Sequence, residues 1–170
     1  MLEWLWAARP FLQYGYAALL LLAALSWGAA PERILAFVLG AMLAVDQLYH
    51  FVVGGSILWR HADVGHMVID CVVFATVLPV ALRANRVYPL WIGGAQIIAL
   101  MAHVYRFSLT EIDRTAYDMM AVMPSYIQLT AMTAGLAFHM WRRNRLGSYP
   151  SWRDSYTPMP ATVPKSLRGG

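Results

Sequence analysis

Asp46 and His50 stand four residues apart, and so do His66 and Asp70. On a helix that spacing puts both members of each pair on one face, a turn apart. His103 follows Gln96 on a common helical face, and Asp118 is continued at helical spacing by Ser125 and Gln128. Imidazole and carboxylate are zinc ligands, and a catalytic zinc keeps one coordination position for water. His50, His66, Asp70 and His103 are therefore candidate metal ligands. Asp46 and Asp118 are candidates for a catalytic base or for a carboxylate that orients a ligating histidine. The same histidines admit a second cofactor. Haem b takes axial histidines from facing helices, and His50 with His103 is the best-placed pair, with Tyr49, Tyr105 and Gln96 able to contact a quinone or a propionate. In a third reading the polar side chains bind one another and hold helices together, which makes the chain a packing or accessory subunit. No HExxH, GxSxG, CxxC or nucleotide-binding loop occurs.

The elements that must position these residues follow from composition. The chain has 170 residues, 59% of them apolar and 13% charged, where a soluble domain carries about 25% charged residues. Mean hydropathy is +0.50. This balance excludes a soluble enzyme, a disordered regulator and a nucleic-acid module. The lone Cys71 provides neither an internal disulfide nor a metal motif. The expectation is an all-α integral membrane protein, because only helices and closed barrels satisfy their backbone groups in hydrocarbon.

A helix needs about 20 apolar residues to cross, and the sequence predicts five spans, at about 10–28, 31–53, 66–82, 87–105 and 115–141. Pro10 and Pro31 sit where a first turn tolerates a missing N–H. Pro79 and Pro124 fall inside the third and fifth spans, where a kink is expected. The first span also has the outline of a cleaved leader, but Pro31 would follow the cut, and it reads instead as a retained helix. Residues 142–170 are basic and contain four prolines, and they read as a flexible tail.

Orientation follows from the 13 basic residues. With five spans, Arg9, Arg60, Arg106 and Arg114 lie on one side. Arg33, Arg83, Arg86, Arg142, Arg143, Arg145, Arg153, Lys165 and Arg168 lie on the other. The richer side is expected to be cytoplasmic, which puts the N-terminus outside and the C-terminus inside a bacterial inner (plasma) membrane. The pI near 9.5 is then a topology signal. Asp46, His50, His66, Asp70, His103 and Asp118 all fall in the outer half of the bundle. A charge at bilayer depth costs about 2.5–3.5 kcal/mol, so this collection marks the functional region. The functions expected are a packing or accessory subunit with a protein partner or a second copy of itself, a zinc-dependent hydrolase of a lipid-like substrate, or a haem- or quinone-binding subunit.

Overall fold

The computed structural model describes residues 2–53, 64–108 and 114–153, with side chains in these segments except at 2–10, 53, 114–118 and 121. Five helices follow in order: α1 (Leu2–Trp27), α2 (Ala30–Val53), α3 (Val64–Arg83), α4 (Tyr88–Ser108) and α5 (Arg114–Leu146). The protein is all-α, and no strand occurs among the described residues.

Local chemistry sets the helix ends. Glu32 sits in the first turn of α2, and its Oε2 accepts the Ala29 N–H at 3.1 Å. This is the reciprocal half of a capping box. Arg33 Nε donates to the Gly28 carbonyl at 3.0 Å, which satisfies a group left open where α1 stops. At the far end of α5, Gly147 has φ +72°, and its N–H donates to the Arg143 carbonyl at 3.0 Å. A left-handed residue closing a helix in this way is almost always glycine. The helix is continuous through Pro79 in α3 and through Pro124 in α5.

Neighbours in sequence are neighbours in space, and α5 also packs on α1 and α2, which closes the bundle. Leu35, Val77, Ile92 and Met132 are completely buried at its centre. Small residues, among them Ala24, Ala36, Ala81, Ala95 and Ala102, are also buried and let the helices approach closely. Gln13 Nε2 donates to Ser125 Oγ at 3.0 Å, and Tyr16 bonds Thr133 at 2.6 Å, so α1 is tied to α5 by hydroxyl and amide groups.

The bundle has two chemically different ends. One gathers the α1–α2 and α3–α4 turns and the C-terminus of α5. The other gathers the ends of α2 and α4 and the start of α3. By length and apolarity, α2 over Ala30–Val52 and α3 over Val64–Arg83 are each sufficient to cross a membrane, and α1 has a shorter apolar stretch over Phe11–Trp27.

Candidate functional site

At the second end, α2 contributes Asp46 and His50 one turn apart, and the first turn of α3 contributes His66. His66 Nε2 lies 2.9 Å from Asp46 Oδ1 and 3.2 Å from His50 Nε2. His50 Nε2 lies 3.9 Å from the same Asp46 oxygen. These three residues form a group that could hold a metal ion, with one ligand atom from each lying within 4.8 Å of the others. All three side chains are partly exposed, between 22% and 32%. The Tyr49 ring stands edge-on to His66, with centroids 4.9 Å apart. Gly65 makes this possible, because a Cβ there would occupy the space of the Tyr49 ring.

One turn further along α3, Asp70 faces α4 instead of α2. Its Oδ2 accepts His103 Nε2 at 2.9 Å, and its Oδ1 accepts Gln96 Nε2 at 2.8 Å. The Asp70 backbone carbonyl accepts the same amide at 3.1 Å. Gln96 Oε1 in turn accepts Gln128 Nε2 from α5 at 2.6 Å. The result is a polar ladder, His103–Asp70–Gln96–Gln128, running across three helices. Gln96 and Gln128 are each 1% exposed, which is tolerable only because each amide has a partner.

The residues expected to act together thus fall into two groups. His50 and His66 meet Asp46, the residue expected as a base, while Asp70 and His103 pair with each other. His66 and Asp70 are one turn apart on α3, yet His66 contacts α2 and Asp70 contacts α4. His50 and His103, the candidate haem pair, are held by different partners. Tyr105 is exposed at the end of α4. The side chain of Asp118 lies outside the described residues, as do His61 and Asp63. Ser125 is engaged with Gln13.

The opposite end holds a second polar centre that the sequence reading did not anticipate. Glu32 is fully buried, and Arg86 Nε donates to its Oε1 at 3.2 Å. Arg86 Nη2 reaches His139 Nδ1 at 3.4 Å, and the Tyr149 hydroxyl reaches the same nitrogen at 2.8 Å. An arginine only donates, so His139 Nδ1 is the acceptor. The Arg86 guanidinium also lies 4.3 Å from the centroid of the Tyr149 ring, and that of Arg142 lies 4.7 Å from it. Residues 147–153 return against the α3–α4 turn, with the Asn85 N–H donating to the Ser151 carbonyl at 3.1 Å and Ala84 bridging to Trp152. One signal for this centre was legible. On the predicted orientation, Glu32 and Asp154 are the only acids on the arginine-rich side.

Between α4 and α5 runs an apolar groove of about 520 Å³ lined by Trp91, Tyr126, Ile127, Ala134 and Phe138, among others. Compared with protein-family models, curated proteins and solved structures, the chain finds no match.

Proposed function

We propose that the chain is a polytopic integral membrane protein of accessory or assembly type. In this reading all five helices cross a bacterial inner membrane, with the N-terminus outside and the C-terminus in the cytoplasm. The observation that carries it is the inversion of burial. Phe51 is 84% exposed, Phe11 77%, Val52 72% and Phe37 64%, while Glu32, Gln96 and Gln128 are at most 1% exposed. A soluble monomer keeps contiguous apolar patches to about 300–600 Å². Here large apolar side chains are exposed on all five helices: Leu22 on α1, Phe37 on α2, Val72 on α3, Ile97 on α4 and Phe138 on α5. Hydrocarbon is the solvent that such a surface requires.

Two helices, α2 and α3, meet the length and apolarity requirement, in keeping with the reading. Gln96, His103, Gln128 and His139, four of the polar residues that lower the apolarity of α4 and α5, are buried. Inward-facing polar residues are the pattern of spanning helices in a bundle. The accessory or assembly role rests on the polar interior, where Asp70, Gln96 and Gln128 are engaged with one another. The apolar outer faces and the α4–α5 groove remain for lipid or for a partner's spans.

Cell fractionation and reporter fusions test the proposal. The chain is expected to remain in the membrane pellet through alkaline carbonate extraction. A phosphatase fused after residue 110 is expected to be active, and one fused after residue 85 or at the C-terminus inactive. Recovery in the soluble fraction would overturn the membrane reading, and the opposite pattern of fusion activity would overturn the orientation.

A further inference from the structure

We infer that Asp46, His50 and His66 bind one divalent transition-metal ion, zinc in the first instance, with water completing its coordination. The inference does not depend on the accessory role proposed above. It rests on three atoms. His50 Nε2, His66 Nε2 and Asp46 Oδ1 converge with separations of 2.9, 3.2 and 3.9 Å. The point equidistant from all three lies about 2.0 Å from each, which is the length of a Zn–N or Zn–O bond. In a tetrahedral zinc site neighbouring ligand atoms are about 3.3 Å apart, and the three separations bracket that value.

Hydrogen bonding alone serves the convergence poorly. With the proton on His66 Nε2, it faces both the Asp46 oxygen and the His50 nitrogen and cannot align with both; with the proton on His50 Nε2 instead, the His66 lone pair faces the Asp46 carboxylate. A cation at the centre uses the lone pairs of all three atoms together. Two imidazoles and a carboxylate are also a donor set that zinc accepts, leaving one or two positions for water. Their partial exposure gives an ion and its waters access.

The surroundings fit a fixed ligand. Asp46 and His50 are presented by one face of α2, a rigid element, so their mutual position does not depend on a loop. The Tyr49 ring, seated on Gly65, packs against the His66 imidazole. Asp70 and His103 stand apart, since both Asp70 oxygens are already engaged by Gln96 and His103. They serve as controls.

The test uses the full chain purified in detergent, stripped with a chelator and titrated with Co²⁺, which is then displaced by Zn²⁺. One Co²⁺ per chain is expected, with the visible absorption of a four- or five-coordinate ion. His50→Ala and His66→Ala are each expected to weaken binding by at least about 100-fold, beyond what the loss of an outer-shell partner does. His103→Ala is expected to leave it unchanged. His66→Cys is expected to keep the ion and to add a thiolate-to-cobalt charge-transfer band, which requires position 66 to be in the coordination sphere. That variant decides the matter even where the alanine variants fail to fold. Absence of stoichiometric binding by the folded chain would overturn the inference, as would unchanged binding in folded His50→Ala or a folded His66→Cys without the band. A soluble chain that still bound one ion would overturn the membrane reading and leave the metal centre standing.

Discussion

Asp46 Oδ1, His50 Nε2 and the Tyr49 ring all press on one imidazole, that of His66. The position of that ring depends on a residue with no side chain. Gly65→Ala would drive a methyl group into the Tyr49 ring and is expected to displace Tyr49 or the first turn of α3. Overpacking of this kind costs about 1–3 kcal/mol. Cobalt titration is expected to show binding weakened by about 10–100-fold, the range for a lost supporting contact around a metal ligand. Gln96 is the corresponding residue of the ladder, because it both donates to Asp70 and accepts from Gln128. Gln96→Leu removes both bonds, leaves buried polar groups unpartnered, and is expected to cost about 1–3 kcal/mol. Thermal unfolding in detergent measures this, and metal binding is expected to survive. At this scale the sequence was partly legible. Four-residue and seven-residue spacings placed Asp46 with His50, and Gln96 with His103, on common faces, and Gln96 and His103 do share one partner, Asp70. Spacing along one helix says nothing of which neighbour lies opposite, and so it did not separate His66 from Asp70.

The elements are joined at the basic end by a buried ion pair and a returning segment. Glu32 caps the start of α2 with one oxygen and receives Arg86 from the α3–α4 turn on the other. Removing one partner of a buried pair leaves an uncompensated charge and costs about 3–5 kcal/mol. Arg86→Met is expected to show that loss in thermal unfolding, and the double variant Glu32→Gln with Arg86→Met to recover most of it. Tyr149 holds residues 147–153 to the same centre. Burial pushes its phenol above the usual value of 10.0, and the nearby Arg86 opposes that shift. The folded chain therefore favours the protonated phenol. The Tyr149 contribution is fully present below pH about 10 and is lost as pH rises through the elevated pKa. Limited proteolysis of this segment is expected to be flat through neutral pH and to accelerate above pH 10, while Tyr149→Phe loses the step. The elements themselves were readable from apolar runs and prolines. The end of α5 was less so, since residues 142–170 read as a flexible tail, whereas the helix continues to Leu146, stops at Gly147 and is followed by residues that pack on the α3–α4 turn. The Glu32–Arg86 pair spans 54 residues, a distance over which no local pattern carries information.

Among the described residues, large apolar side chains are exposed on all five helices while Glu32, Gln96 and Gln128 are buried. Composition led to the expectation of a bilayer, but it carried no sign that the polar residues would divide into a partly exposed cluster, a buried ladder and an ion-paired latch. The account requires lipid against the outer faces of all five helices, including α4 and α5, whose sequences are less apolar. Nitroxide spin labels placed singly at Phe37, Val72, Ile97 and Phe138, in chain reconstituted into vesicles, test this most directly. Collision with oxygen, which concentrates in hydrocarbon, is compared with collision with a water-soluble nickel chelate. The account predicts high oxygen and low nickel accessibility at all four positions. High nickel accessibility at Ile97 and Phe138 would contradict it, for α4 and α5 would then face water.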